Sequence, residues 1–231
     1  MVKHVRFVRS TVVGIALSFA ALLVLGAVTS ADYGHERVYR VKIKNLTKAQ
    51  IFSPALAATH RGGNVMFTLG EEASAELADL AENGMNGALG ALLDGSGRVA
   101  DVADAGAPVM PGDSMTFEIR SKRGFRRFSI AGMLVGSNDA FYAINGRRLP
   151  ERRREVVRWT AVGYDAGSEN NNEDCAFVPG PPCGPDSGNA RDTDSEGFVY
   201  VSNGIHGIGD IRPAGYDWHN PVAEISVKRI Q

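Results

Sequence analysis

The sequence predicts an all-β protein: an antiparallel β-sandwich of about eight strands, with one or two short helices inserted after the second strand. Short segments rich in β-branched and aromatic residues recur along the chain, separated by Gly, Pro, Asn and Asp. This spacing is typical of antiparallel sandwiches and barrels. Helical periodicity is confined to one stretch, too clustered to supply the crossovers of a parallel sheet.

The first strand is predicted at VYRVKIKNLT, residues 38–47, where Tyr39, Val41 and Ile43 alternate with charged residues. Alternation with a period of two indicates a strand with one buried face. A second extended segment is expected at 51–60, with Pro54 at an edge or a kink. Further strands are expected at 112–120, 127–136, 140–145, 155–163, 197–204 and 223–230.

The helical stretch covers residues 74–93, SAELADLAENGMNGALGALL. Its apolar residues recur at helical spacing: Leu77, Leu80, Ala81, Leu89 and Leu92. Gly84 and Gly87 divide the stretch into two short helices, and Ser74 is a candidate N-cap.

Residues 1–31 have the order of a secretory signal peptide: basic residues, an apolar run and then small residues up to Ala31. An uncleaved membrane anchor is the alternative, because the apolar run is about 18 residues long. Cleavage leaves residues 32–231 as one domain, secreted or periplasmic, with no transmembrane segment. Without its three leader Lys and Arg residues the chain has 22 basic and 26 acidic residues, a formal charge of −4. This balance does not favour nucleic-acid binding.

Cys175 and Cys183 are the only cysteines and lie eight positions apart. In an exported chain such a pair is expected to form a disulfide. The small ring is worth about 2 to 3 kcal/mol in the loop-closure model, so its expected role is to shape one loop. The segment offers too few thiol and imidazole ligands for a zinc site.

Carboxylates and amides concentrate in GYDAGSENNNEDC, residues 163–175. Asp165 and Glu169 lie at its front, Gly167 permits a sharp turn, and Asp139 ends another apolar strand. Hard oxygen donors of this kind suit Ca²⁺, which takes six to eight of them. The alternatives are turn chemistry at Asp139 and a solvated acidic loop. The asparagines and Glu173 at the back of the segment either add a ligand or lead into the disulfide loop.

A second acidic loop, DTDSEGFVYVSN, places Asp192, Asp194 and Glu196 at the first, third and fifth positions of a helical calcium loop. Its twelfth residue is Asn203 instead of Glu, and a strand follows, so a polar hairpin loop is favoured over a second cation site.

The histidines His60, His206 and His219 match no short ligand motif, which favours structural roles. The chain lacks the common hydrolase and nucleotide-binding motifs, and no enzyme is predicted. A glycosidase pair of Asp and Glu needs only spatial proximity, so an envelope polysaccharide hydrolase remains an alternative.

An arginine cluster lies within GRRLPERRREVVR and comprises Arg147, Arg148, Arg152, Arg153, Arg154 and Arg158. Guanidinium groups pair bidentately with sulfate and phosphate, so binding of an anionic glycan or lipid through Arg147, Arg148, Arg152, Arg153 and Arg154 is one hypothesis. A solvated loop that protects a sheet edge is the other.

Several blocks in this order resemble the spondin domain, the N-terminal module of F-spondin and mindin, which also occurs as a stand-alone exported bacterial protein. They are IFSPALAATH, LVGSNDAFYAI, GYDAGSENNNEDCAFVPGPPCG, GIHGIGD and DWHNPVAEISVKRI. The resemblance runs from about Val38 to Ile230, and NDAF and YDAGSE are its most specific parts. It implies a C2-like sandwich and a calcium site at Asp139, Asp165 and Glu169, where Glu169 departs from the Asp of animal members.

The resemblance therefore implies an exported calcium-binding module with a binding or adhesion role at the cell surface or in the periplasm. Its partner is expected to be an extracellular or envelope protein or glycan. The thrombospondin-type repeats that follow this module in F-spondin are absent here, so matrix adhesion does not transfer directly.

Overall fold

The computed structural model of the chain describes residues 36–191 and 194–231. The predicted signal segment 1–31 and Asp192 lie outside the described residues. The all-β prediction is confirmed, with nine strands in the described part against about eight expected. The strands are β1 Arg37–Asn45, β2 Leu56–His60, β3 Val99–Asp104, β4 Ser114–Ser121, β5 Arg127–Met133, β6 Ala140–Arg148, β7 Val156–Asp165, β8 Tyr200–Val201 and β9 Ala223–Arg229.

Three elements differ from the sequence-based expectation. Strand β3 was not predicted, because apolar and polar residues do not alternate in its sequence VADVAD. None of its residues is fully buried. The segment expected as a strand at 197–204 pairs in a ladder only through the two residues of β8. A short helix, Pro213–Tyr216, also lies where none was predicted, with proline at its first position.

All strand pairs are antiparallel, and their order is β3-β2-β5-β6-β7-β9-β1-β4, with β8 added beside β7. Strand β7 takes part in both layers of the sandwich. Its residues 156–161 pair with β9, whereas residues 162–165 pair with β6. A strand that changes partner along its length makes a corner between the two layers.

The main core lies between the layers. In β1, Tyr39, Val41 and Ile43 are buried while the charged residues between them are exposed, as the alternation predicted. Strand β9 supplies Ile225 and Val227 to the same apolar cluster. Burial of such side chains stabilises the fold by roughly 1.5 to 3 kcal/mol each relative to exposure.

Two helices follow β2, as predicted: α1 Ala75–Asn83 and α2 Gly87–Gly95. The Ser74 hydroxyl accepts a hydrogen bond from the Leu77 amide at 3.2 Å, which confirms Ser74 as the N-cap, and Gly84 ends α1 at a φ of +68°. The helices cover a second apolar cluster on the outer face of β2, β5 and β6. One side of the sandwich therefore has a third layer.

The two outermost strands of this order, β3 and β4, approach each other and nearly close the sheet. The Arg120 amide in β4 donates to the Asp101 carboxylate in β3 at 2.7 Å. The Thr59 hydroxyl in β2 donates to the Arg120 carbonyl at 2.6 Å. These bonds satisfy polar groups that an open sheet edge would expose.

Cys175 and Cys183 form the predicted disulfide, with their Cα atoms 5.2 Å apart. A disulfide indicates a compartment outside the reducing cytoplasm. Among the described residues, no helix has the length and apolar content needed to cross a membrane.

Candidate functional site: a buried carboxylate cluster

The fold brings together two of the three predicted carboxylates, Asp139 and Asp165, and places Glu169 in the loop that Asp139 holds. Asp139 directly precedes β6, and Asp165 is the last residue of β7. Because β6 and β7 are antiparallel, with Ala140 opposite Asp165, the two aspartates meet at one end of the sandwich. Glu169 lies four residues further along the same loop. The exposed fractions of Asp139, Asp165 and Glu169 are 0%, 1% and 3%.

Asp139 organises the loop that follows β7. Its Oδ2 accepts hydrogen bonds from the Ser168 amide at 2.7 Å, the Ser168 hydroxyl at 3.1 Å and the Glu169 amide at 3.1 Å. Its Oδ1 is also buried but has no hydrogen-bond donor among the described residues. One oxygen of this carboxylate thus holds the loop, and the other is left unsatisfied.

Asp165 is held by its own loop. Its Oδ1 accepts from the Gly167 amide at 2.9 Å, and its Oδ2 accepts from the Asn171 side-chain amide at 2.8 Å. Gly167 has a φ of +64°, and a Cβ at this position would lie 2.2 Å from the Phe198 carbonyl oxygen. The sharp turn expected at Gly167 is present, and only glycine fits there.

Asn171 joins this loop to the second acidic loop. Its Nδ2 lies 2.8 Å from Asp165, 3.2 Å from Glu196 and 2.7 Å from the Tyr200 hydroxyl. A side-chain amide has only two hydrogens, so three oxygens surround a group that cannot donate to all of them at once. The other oxygen of Glu196, Oε2, is buried and has no hydrogen-bond partner among the described residues.

The second acidic loop is therefore part of the same cluster through Glu196. The calcium-loop spacing predicts a separate and weaker cation site there, because nothing in the sequence shows that the two loops meet. Asp194 is exposed, and Asp192 lies outside the described residues.

Asp139 and Asp165 repel each other in a buried site with little access to solvent. Burial raises the pKa of Asp139 well above its ordinary value of 3.8, and the Asp165 charge raises it further, while the Ser168 and Glu169 hydrogen bonds oppose the shift. Burial also raises the pKa of Asp165, and Glu196 adds to the rise against the hydrogen bonds from Asn171 and Gly167. Ionising the whole cluster therefore costs free energy unless a cation compensates it.

Glu173, which the sequence left unassigned, has a different environment. Its carboxylate accepts hydrogen bonds from three consecutive backbone amides, at 2.5 Å from His206, 2.6 Å from Gly207 and 3.0 Å from Ile208. The residue is 2% exposed and has a φ of +57°. Glu173 thus anchors the GIHGIGD loop, and no sequence signal reveals this because all the donors are backbone groups.

The three histidines have separate surroundings. His60 is buried, with its Nε2 2.8 Å from the Ser129 hydroxyl. The exposed side chains of His206 and His219 lie within 4.0 Å of Glu173 and Asp217, respectively. Across residues 36–191 and 194–231, no set of three or more His, Cys, Asp or Glu side chains is already arranged to hold a metal ion.

The buried His60 is expected to make the protein sensitive to acid. Burial lowers the pKa of His60 from 6.5 to about 4. Between pH 6.5 and 4, the unfolded chain therefore binds a proton at His60 that the folded protein does not. The contribution of His60 to the free energy of unfolding is complete above pH 6.5 and is lost as the pH falls towards 4. The full effect is about 3 kcal/mol of unfolding free energy.

Urea denaturation at pH 7 and pH 5 measures this loss of stability. His60→Gln should flatten the pH dependence of the unfolding free energy, and the exposed control His219→Gln should not. Equal pH dependence in wild type and His60→Gln would contradict it.

The predicted arginines line two depressions: Arg147 and Arg158 line one, and Arg148 and Arg152 line the other. Arg147 and Arg148 are consecutive exposed residues of β6 and point to opposite faces. Arg152, Arg153 and Arg154 are exposed in the turn before β7. That turn is shaped by Glu155, whose carboxylate accepts from the Arg152 amide at 2.7 Å.

The fold and the cluster together define a class of protein: an antiparallel sandwich with buried carboxylates from two loops at one end. No protein-family model matches the chain, and neither does any curated protein.

Proposed function

We propose that the protein is an exported calcium-binding β-sandwich module, in which Ca²⁺ is held by Asp139, Asp165 and Glu169. The observation that carries this proposal is the Asp139 Oδ1 atom, which is buried beside Asp165 without a hydrogen-bond donor among the described residues. A buried acceptor without a donor costs about 1 to 3 kcal/mol, which a bound cation would offset.

The chemistry of the donor set fits calcium. All the candidate ligands are carboxylate oxygens, which are among the hard donors that Ca²⁺ prefers. Glu196 adds a fourth carboxylate, with a buried oxygen that lacks a partner in the described part of the chain. The electropositive Asn171 amide already lies between Asp165 and Glu196, where it partly offsets their repulsion.

Calcium would supply positive charge that joins the loop after β7 to the loop before β8. Ordered loops at one end of a sandwich are a common place for recognition of a partner. The sequence resemblance to the spondin domain supports the same calcium residues and a binding or adhesion role. Its implied setting is the cell surface or the periplasm, with an extracellular or envelope protein or glycan as partner.

A calcium titration tests the proposal. We expect Ca²⁺ at 100 times its dissociation constant to stabilise the protein by about 2.7 kcal/mol, measured as a rise in melting temperature relative to chelator. The affinity should increase with pH, because the raised pKa values of Asp139 and Asp165 make protons compete with the cation. Identical melting curves in calcium and in chelator would refute the proposal.

The polysaccharide hydrolase remains a prediction without a specific observation in its favour. The paired carboxylates Asp139 and Asp165 are buried. A cleft between β6 and β7, lined by residues that include Asn145, Arg147 and Tyr164, has no Asp or Glu in its lining.

A further inference from the structure

A second candidate site lies where β6 and β7 separate. The two strands pair only through residues 140–143 and 162–165. Residues 156–161 of β7, which precede Val162, pair with β9 instead. Strand β6 continues beside β5 as far as Arg148. The change of partner that forms the corner of the sandwich therefore opens a cleft between the two strands.

The cleft has a volume of about 290 Å³. Strand β6 contributes Asn145 and Arg147, and β7 contributes Thr160 and Tyr164. The segment 64–69 forms the remaining wall and is tied to β6, because the Asn145 side chain donates to the Phe67 carbonyl at 2.8 Å. A depression of about 400 Å³ continues from it, shares Arg147 and Thr160, and adds Arg158 and Trp159.

The charge of this surface is mainly positive. Arg147 lines both parts and Arg158 lines the second, while Glu224 is the sole acidic residue among the lining residues of either part. Within the described residues, no carboxylate lies within ion-pair distance of Arg147 or Arg158. The positive charge of Arg147 also lowers the pKa of Tyr164, against the larger opposing effect of burial. The guanidinium groups are thus available to an anion.

The rest of the lining suits a sugar. The side chains of Asn64, Thr68 and Thr160 offer hydroxyl and amide groups to ring hydroxyls. Tyr164 and Phe67 form an aromatic pair, with ring centroids 4.9 Å apart, that presents apolar surface at one end. A volume of this order matches a small ligand rather than a protein surface.

We propose that the cleft between β6 and β7 binds an anionic saccharide, with its carboxylate or sulfate on Arg147 and Arg158 and its ring hydroxyls on Asn64, Thr68 and Thr160. This site is distinct from the carboxylate cluster. Tyr164 and Asp165 are neighbours in β7, so their side chains point to opposite faces of the strand. Binding of the saccharide does not depend on calcium being bound.

Isothermal titration calorimetry of the protein tests this proposal with a galacturonic acid trisaccharide, a sulfated trisaccharide and a neutral galactose trisaccharide. We expect either or both anionic sugars to bind, which identifies the preferred anion, and the neutral sugar to bind at least tenfold more weakly. Raising the salt concentration should weaken the binding. The same affinities are expected in chelator and in calcium, so this test can fail independently of the calcium proposal.

Matched arginine variants locate the site. Arg147→Gln and Arg158→Gln should each weaken binding of the anionic sugar at least tenfold, whereas Arg123→Gln, in the exposed turn between β4 and β5, should change it less than twofold. All three residues are exposed, so the variants are expected to fold, and melting curves check this. Equal losses in all three variants, or tighter binding of a hexaglutamate peptide than of any sugar, would overturn the proposal.

Discussion

Asp139→Asn is expected to raise the stability of the protein in chelator and to remove at least about half of the stabilisation by calcium. In the absence of cation, asparagine keeps one oxygen for the Ser168 and Glu169 donors and replaces the unsatisfied Oδ1 with an amide. This removes the repulsion with Asp165 and relieves a penalty of about 1 to 3 kcal/mol. In calcium, loss of a charged ligand should weaken the cation affinity at least about tenfold, or 1.4 kcal/mol.

The two effects have opposite signs, so calcium should raise the melting temperature of the variant less than that of the wild type. Melting temperatures in chelator and in saturating calcium measure this, with about 2 to 4 °C expected per kcal/mol. Asp186→Asn is the control, because it removes the same charge from an exposed position in the disulfide loop. A variant less stable than wild type in both conditions would mean that Asp139 has only a structural role.

The pattern of alternating residues was sufficient to predict most of the strands. It succeeded for β1, where burial alternates residue by residue, and it failed for β3, where all but the last residue are half-buried. The helices α1 and α2 were predictable because their spacing, N-cap and separating glycines all agree. Strand β8 has only two residues because only these two pair with β7. A local sequence pattern does not encode where that pairing ends.

The candidate site was predictable only in part, because its residues come from distant segments. Asp139 and Asp165 stood out as carboxylates at strand ends, and the antiparallel pairing of β6 and β7 brings them together. Glu196 could not be assigned to the same cluster, because the disulfide loop separates it from Asp165 in sequence. Its place depends on the contact with Asn171, which is a tertiary contact.

The same limit applies to the arginines. Local density suggested one loop with a shared role, but strand alternation separates Arg147 from Arg148. The change of partner in β7 then places Arg147 beside Arg158, eleven positions away. Spatial clustering of charge thus follows the topology of the sheet rather than the spacing in the sequence.

Glu173→Gln is expected to destabilise the protein strongly while leaving its calcium affinity nearly unchanged. The Glu173 carboxylate accepts from three consecutive backbone amides, and the side-chain amide of glutamine would place a donor against at least one of them. Hydrogen bonds to a charged group are worth about 1.5 to 3 kcal/mol each, so we expect a loss of about 2 to 4 kcal/mol in unfolding free energy.

Urea denaturation measures this loss, and Glu72→Gln, an exposed site with the same change of charge, is the control. A calcium titration of the folded variant then separates anchoring from ligation. Because the Glu173 oxygens are already occupied by amides at 2.5 to 3.0 Å, the calcium affinity should change less than about threefold, well below the tenfold (1.4 kcal/mol) loss at a ligand. A tenfold loss of affinity in Glu173→Gln, with stability unchanged, would instead make Glu173 a calcium ligand and would mean that the GIHGIGD loop is held by other contacts.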